Sequence, residues 1–196
     1  MFRNMSVLAL CTNRRGSVAV EFAVISVLLI VFMFFLTDLV VRNATTGRLD
    51  RVAYSVAGIV RERVQLYDAR EKLNQGDVDQ IAKLAARMLT DMDLDADLSK
   101  LQLVVEELHF EDITSIGSTR KDIDLYRRWQ SGSAGGCTPP QALNQLTQLA
   151  PKGSYGRWVP LYQVTICLPT TSWYTRLTTS STEKPQLSSF AIVMAR

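Results

Sequence analysis

The hydrophobic and polar positions divide this chain into one long apolar run and a longer mixed region. The apolar run covers residues 18–41, and only Glu21 and Asp38 interrupt its 24 residues with a charge. A helix of that length spans about 36 Å, more than the roughly 30 Å hydrocarbon core of a bilayer. Its strongly apolar side chains each favour insertion by about 0.3–0.6 kcal/mol, whereas one central acid costs about 3 kcal/mol. The pattern therefore predicts a membrane-spanning helix.

Beyond this run, hydrophobic residues recur at spacings of three and four between Leu49 and Tyr67. This spacing predicts an amphipathic helix. The residue types at 74–76, Asn-Gln-Gly, are typical of a helix C-terminus. We therefore expect a stalk helix within residues 42–75, with residues 45–47 (Thr-Thr-Gly) as the weak point between anchor and stalk.

The remaining residues, 76–196, alternate helical and strand patterns. Asp77 and Gln80 are spaced as a helix N-cap and its third position, which predicts a second helix at about residues 78–90. Pro160 lies in one of the predicted strands and indicates an edge or a bulge there. We predict an α+β head with a small antiparallel sheet and helices packed on it. Alternating and β-branched residues predict its strands, at residues 101–110, 123–129, 159–168 and 190–195.

Charge separates the first sixteen residues from the rest. They contain Arg3, Arg14 and Arg15 but no acid, so removing three of the 22 basic residues leaves 19, equal to the 19 acids. The net charge of +3 therefore belongs to this leader alone. A chain that is neutral beyond its leader is not expected to bind nucleic acid.

Three interpretations of the apolar run compete. A secretory signal peptide has an apolar region of about 7–15 residues followed by a small-x-small cleavage site. This run is longer, and Arg42 stands where a small residue is needed. A plain membrane anchor explains the length but not Glu21, an acid five residues after Gly16. A processed assembly helix explains both features.

The residues around this acid resemble a known processing site. The string R-R-G-S-V-A-V-E-F at residues 14–22 resembles the leader junction of pseudopilins of the Tad (tight adherence, Flp, type IVb) pilus system. Residues 49–57 and 155–167 are similar to the TadE/TadF group, and to TadF more than TadE. Ser17 rather than Phe follows the glycine, which argues against type IVa pilins and type II secretion pseudopilins.

This resemblance implies specific roles for the leader residues. A prepilin peptidase would cut between Gly16 and Ser17, with Arg14 and Arg15 belonging to the processing motif. Glu21 would then be the fifth residue of the mature chain. It would lie one helical turn from the new amine and could neutralise that amine or one on a neighbouring helix. The alternative is that Glu21 only extends to the lipid headgroups, although an intramembrane acid indicates function by default.

The resemblance also implies the role of the whole chain. It would be a minor pseudopilin that acts in pilus biogenesis, adherence and biofilm formation, without enzymatic activity or a cofactor. Its partners would be the prepilin peptidase, TadE-like and other pseudopilins in a hetero-oligomer, and the lipid bilayer. The positive-inside rule places the leader in the cytoplasm and residues beyond 41 in the periplasm.

The three cysteines fit that topology. Cys11 would remain in the reducing cytoplasm, while Cys137 and Cys167 would lie in the oxidising periplasm. We therefore predict a disulfide between Cys137 and Cys167; a buried pair of free thiols is the alternative. This disulfide would close a loop of about 30 residues, which corresponds to a stabilisation of the fold by roughly 3.5 kcal/mol.

Two acidic segments are candidates for chemical sites. Residues 91–97 resemble a calcium loop, but Ala96 and Gln102 stand where glycine and a bidentate glutamate are required, so a solvated turn is favoured. The acids between 106 and 112 fit a solvated rim better than the carboxylates of a cryptic hydrolase. His109, alone in a strand, is expected to be a packed or surface residue.

Aromatic residues leave a binding function open as an alternative. Residues 126–129 (Tyr-Arg-Arg-Trp) and the aromatics Trp158, Trp173 and Tyr174 could form a recognition surface, although packing is favoured. The main alternative function is therefore an uncleaved, membrane-tethered periplasmic binding or adhesin domain. It predicts a mature chain that starts at residue 1 or 2.

Overall fold

The described residues form two α-helices, three single-turn 3-10 helices and one sheet, which confirms the α+β class. A computed structural model describes residues 17–62, 72–92, 98–112, 119–132, 136–153, 156–169 and 186–195. The chain divides into two compact units, Met1–Arg42 and Asn43–Arg196. The helices and strands are α1 (Ser17–Arg61), α2 (Gln75–Asp91), β1 (Gln102–Phe110), β2 (Ile123–Gly132), β3 (Leu161–Pro169) and β4 (Gln186–Met194).

Helix α1 belongs to both units and is continuous through residues 45–47, where a weak point is expected from the sequence. Within the second unit its buried residues recur every three or four positions, which confirms the predicted amphipathic pattern there. The rest of the predicted stalk, residues 63–71, lies outside the described residues. The buried positions are Leu49, Val52, Ala53, Val56, Ala57 and Val60.

Asn74 is the N-cap of α2, and the helix C-terminus expected at residues 74–76 is wrong. The Asn74 side chain accepts a hydrogen bond from the Asp77 backbone N–H at 2.9 Å, and the Asp77 carboxylate accepts one from the Asn74 N–H at 3.2 Å. This reciprocal pair is a capping box. Our assignment of Asp77 as the cap is wrong by three residues, because Asn74 is an equally good N-cap residue with an acid at its own third position.

The four strands are entirely antiparallel, in the order β2-β1-β3-β4. β3 is therefore an interior strand, and the edge position expected from Pro160 is wrong. Pro160 lies just before the strand, where its missing N–H removes no ladder bond. Its carbonyl instead accepts a hydrogen bond from the Ala195 N–H at 2.9 Å.

The two faces of the sheet are covered differently. Alternate residues of β1 and β3, such as Val105 and Val164, pack in one core cluster with the buried residues of α1 and α2. This arrangement confirms helices on one face. The opposite face is covered by residues 136–153, whose Leu143 and Ala150 pack on Leu108 and Leu161. The sequence pattern indicates only the first of these two layers.

Gly132 ends β2 in a backbone conformation that favours glycine. Its φ is +101°, and a Cβ there would lie 2.1 Å from the carbonyl oxygen of Leu101. We expect Gly132→Ala to lower the free energy of unfolding by about 2–4 kcal/mol, because the two strand ends would have to separate. Chemical denaturation of the detergent-solubilised protein measures this loss.

Gly58→Ala is the matched control. Gly58 lies within α1, and a Cβ added there would meet nothing within 4 Å. Alanine should therefore stabilise the helix by about 0.5–1 kcal/mol. Equal stability of the two variants would contradict the expected clash at Gly132.

Candidate functional site

The described part of the first unit, residues 17–42, presents a large exposed apolar surface. Seventeen large apolar side chains between Val18 and Val41 are each at least 37% exposed. Soluble monomeric proteins rarely expose a continuous apolar surface of this size. Among the described residues, α1 is the helix that is long and apolar enough to cross a bilayer. This segment is consistent with a single-pass membrane anchor.

The exposed apolar residues surround this part of the helix on all sides. A helix that is apolar all round is suited to lipid or to other helices, whereas an amphipathic helix packs on one core. Thr37, a polar residue of the run, donates its hydroxyl to the Met33 carbonyl at 2.9 Å. The hydroxyl is thereby satisfied within the helix, as an apolar surrounding requires.

Glu21 lies in α1 among exposed apolar residues. Ser17 is the first residue of α1, so Glu21 follows it by about one turn. Its neighbours on the helix surface include Val18, Ile25 and Leu28, which are all more than half exposed. Of the predicted processing residues, Gly16, Arg14 and Arg15 lie outside the described residues, so cleavage at Gly16 stays a prediction.

The acids of residues 106–112 do not form one cluster. Glu106 and Glu107 are 1% and 0% exposed, so a solvated rim is the wrong interpretation for these two. As adjacent strand residues they point to opposite faces of the sheet. Glu111 and Asp112 follow the strand and are exposed, as expected. The concave carboxylate group that a hydrolase would need is therefore not assembled from these residues.

Each buried carboxylate holds a neighbouring segment. Glu107 accepts a hydrogen bond from the Leu73 backbone N–H at 2.8 Å, just before α2 begins. Glu106 accepts one from the Tyr126 hydroxyl at 2.5 Å and another from the Leu143 N–H at 3.2 Å. The hydrophobic residues around the pair, Val105 and Leu108 among them, are the signal in the sequence for this burial.

Burial and the contact with Glu106 raise the pKa of Tyr126 to about 12. Burial is the main cause, followed by the hydrogen bond to Glu106 and the negative charge of that carboxylate. Since the folded-state pKa lies above the ordinary value of 10.0, the stabilisation is complete below pH 10 and is lost as the pH rises to about 12.

We expect Tyr126→Phe to remove that part of the pH dependence. The free energy of unfolding of the wild type should fall more steeply than that of the variant between about pH 10 and 12. Tyr54→Phe is the control, because Tyr54 is exposed on α1 and should leave the wild-type slope unchanged. Parallel curves for the wild type and Tyr126→Phe would contradict the assignment.

The segment over the second sheet face is held by a disulfide and by polar bonds. Cys137 and Cys167 are joined, with their Cα atoms 5.7 Å apart and a sequence separation of 30. The Cys137 N–H donates to the Gln102 side chain at 3.0 Å, and Arg128 donates to the Cys137 carbonyl at 3.0 Å. These are the two cysteines that the sequence analysis predicts to be joined.

The aromatic residues that could form a recognition surface instead make contacts within the protein, where the structure describes them. Trp158 donates its indole N–H to the Arg120 carbonyl at 2.8 Å, and the Lys121 ammonium lies 4.1 Å from its ring centre. Trp129 packs against the helical core. His109 is buried, with its ring edge-on to Tyr162 at 6.1 Å between centroids. Trp173 and Tyr174 lie outside the described residues.

Besides the disulfide, Lys121 also holds the segment of residues 136–153 that covers the second face of the sheet. Its ammonium donates to the carbonyls of Thr147 and Ala150 at 2.6 and 2.8 Å. Burial lowers the pKa of this lysine, because an ammonium is less well solvated there than in water. Together with the disulfide, this contact holds both ends of residues 137–150 against the sheet.

No metal centre can be assigned among the described residues, where no group of three or more His, Cys, Asp or Glu side chains is arranged to hold an ion. The acidic segment that resembles a calcium loop lies largely outside them, at residues 93–97. The features with functional potential are therefore the exposed apolar helix with Glu21 and the surfaces of the second unit.

Comparison with known proteins identifies the family. A family model described as "Putative tight adherence pilin protein F" (TadF) matches residues 9–196, nearly the whole chain. No curated protein and no solved structure matches the chain significantly. The family model includes both the apolar helix and the four-stranded head, in agreement with the resemblance found in the sequence. The chain therefore belongs to the TadF family of tight adherence pilin proteins.

Proposed function

We propose that this protein is a minor pseudopilin of the Tad pilus machinery, processed by a prepilin peptidase and needed for pilus assembly. The observation that carries the proposal is the apolar surface of residues 18–41, exposed on all sides and interrupted near its start by Glu21. Membership of the TadF family supports a pilus-associated and structural role.

The apolar segment serves first as an anchor and then as an assembly element. Its side chains pack against lipid before assembly and against the helices of other pilus subunits afterwards. Van der Waals packing, rather than hydrophobic exclusion, drives helix association within a bilayer. The numerous β-branched and aromatic side chains of this segment give a shaped surface for such packing.

Glu21 specifies which helices associate. Cleavage before Ser17 creates an ammonium at the start of the helix, and the Glu21 carboxylate pairs with this amine or with the amine of a neighbouring subunit. A carboxylate within the membrane is costly unless it is paired. The pair therefore favours a fixed register between neighbouring helices over other arrangements.

The second unit acts in the periplasm. The disulfide Cys137–Cys167 suits an oxidising compartment. The unit presents a rigid surface to TadE-like and other pseudopilins, and through them it contributes to adherence and biofilm formation. Its role is to bind these subunits rather than to catalyse a reaction.

Gene deletion tests the proposed function. In the encoding bacterium, loss of this chain should remove surface pili in electron micrographs and reduce attachment to a surface. The plasmid-borne wild-type gene should restore both. Normal numbers of pili in the deletion strain, with the other pilus genes intact, would refute a role in assembly.

A further inference from the structure

The two joined cysteines are held in the fold in different ways. Cys167 lies within the interior strand β3, with Gln102 of β1 opposite it on one side and Ser188 of β4 on the other. Its chain neighbours Ile166 and Leu168 are buried. A partner protein therefore gains access to Cys167 only if the sheet itself opens.

Cys137 lies outside the strands. Its chain neighbours Gly136 and Thr138 are exposed, although its own side chain is buried. Its backbone is held by side chains: its N–H donates to the Gln102 side chain and its carbonyl accepts from Arg128, both at 3.0 Å. Without the disulfide, Cys137 becomes accessible when the start of the covering segment lifts, which breaks these contacts but no strand pairing.

The chain around Cys137 is extended. Residues 136–139 are neither helical nor part of a strand, and Pro139 and Pro140 follow Cys137 after one residue. A proline disfavours the helical conformation of the residue before it, so Thr138 and Pro139 are kept extended. An extended segment outside the sheet is a form of chain that a partner protein binds readily.

The bonded sulfurs are enclosed once the covering segment is in place. Cys137 and Cys167 are both buried and pack with Val104. A partner protein cannot contact either sulfur in that arrangement. The bond must therefore form before residues 136–153 settle on the sheet, and the covering of this face is the later step.

We propose that a periplasmic thiol–disulfide exchange protein forms this bond through Cys137, and that Cys167 resolves the mixed disulfide. This inference rests on the periplasmic location of the second unit in the proposed function. In that topology the chain enters the periplasm from its N-terminal side, so Cys137 arrives before Cys167. The order of arrival and the easier exposure both select Cys137 as the first residue to react.

The reaction is two successive thiol–disulfide exchanges. The Cys137 thiolate attacks one sulfur of the partner's disulfide, which forms a mixed disulfide and releases the partner's other sulfur as a thiolate. The Cys167 thiolate then attacks the Cys137 sulfur, which forms the Cys137–Cys167 bond and releases the partner's second sulfur. The two cysteines lose two electrons and two protons, and the partner's disulfide takes them up to become a dithiol.

Reaction of the full chain in detergent with dithiobis(nitrobenzoate), a small aromatic disulfide, tests the difference in access. In a Cys11→Ser background, Cys167→Ala keeps only Cys137, and Cys137→Ala keeps only Cys167. The two variants are matched because both lack the disulfide. Cys137 should react at least about tenfold faster than Cys167. Equal rates in variants that retain the strand signal of the wild type in circular dichroism, or a faster rate for Cys167, would overturn the proposal.

Trapping in cells tests the same order without requiring a folded variant. Acid stops the exchange, and the proteins are separated without reductant. Cys167→Ala should accumulate several-fold more adduct than Cys137→Ala, and mass spectrometry should find in it a protein with a Cys-x-x-Cys pair. An equal amount of adduct with both variants, more adduct through Cys167, or none with either would overturn the proposal.

The state of the wild-type cysteines in cells separates this inference from the proposed function. A wild type that contains the bond, together with adducts formed mainly through Cys167, would overturn only the order of reaction. Free thiols at both Cys137 and Cys167 in the wild type would contradict the periplasmic location, and with it both the proposed function and this inference.

Discussion

Replacing Glu21 with alanine is expected to abolish pilus assembly while the protein stays in the membrane. The substitution removes an acid from the apolar run, so insertion of residues 18–41 becomes more favourable by up to about 3 kcal/mol. Assembly loses the carboxylate that we propose to pair with a helix-terminal amine. Membrane fractionation and electron microscopy of cells complemented with the variant would separate these two effects.

Asp38→Ala is the matched control for Glu21→Ala. Asp38 is the other acid of the run but lies about 25 Å farther along α1, remote from the amine that cleavage before Ser17 would create. Cells with Asp38→Ala should assemble pili. Normal piliation with Glu21→Ala would refute the pairing role of this carboxylate, whereas equal loss with both variants would point to a general need for charge in the run.

Loss of the disulfide is expected to have the largest effect on stability. The bond between Cys137 and Cys167 closes a loop with a sequence separation of 30, which corresponds to about 3.5 kcal/mol in the chain-entropy model. Cys137→Ala together with Cys167→Ala should lower the free energy of unfolding by about that amount. Chemical denaturation of the solubilised protein without reductant measures the change.

The loss of stability would be localised at residues 136–153, which cover the second face of the sheet. Cys137 and Cys167 pack with Val104 in a small buried cluster. Without the bond, one end of residues 137–150 depends on the polar contacts of Gln102 and Arg128. Cys11→Ser is the control and should leave stability unchanged. A loss below about 1 kcal/mol in the double variant would contradict the loop-entropy argument.

Local patterns in the sequence are enough to predict several elements. The apolar run, the amphipathic part of α1 after Arg42 and the strand at residues 101–110 each follow from periodicity within a few turns or alternations. Such patterns misplace the start of α2, because Asn74 and Asp77 are equally good N-cap residues. Tertiary contacts, here the Leu73 hydrogen bond to Glu107, help to decide between them.

Features that depend on distant residues cannot be predicted in this way. The apolar neighbours of Glu106 and Glu107 indicate a buried strand, but the burial of both carboxylates depends on the layers that cover the two sheet faces. The layer of residues 136–153 has weak local patterning and is held by contacts from β1, β2 and Lys121. The position of β4 at one end of the described sheet depends on the strand order, which no local pattern specifies.

The candidate site can be predicted in part, because its apolar surface follows from a local sequence pattern. The apolar surface and the position of Glu21 within it follow directly from the run of residues 18–41. The structure adds that this surface is exposed on all sides, while the helix after Arg42 has one buried stripe. The processing role of Gly16 rests on resemblance and needs a direct measurement.

The most direct measurement is the N-terminus of the protein from membranes, by intact mass or terminal sequencing, in cells with and without the prepilin peptidase. We predict a chain that starts at Ser17 when the peptidase is present and an uncleaved chain when it is absent. A start at residue 1 or 2 in both strains would contradict the pseudopilin function and leave a membrane-tethered domain.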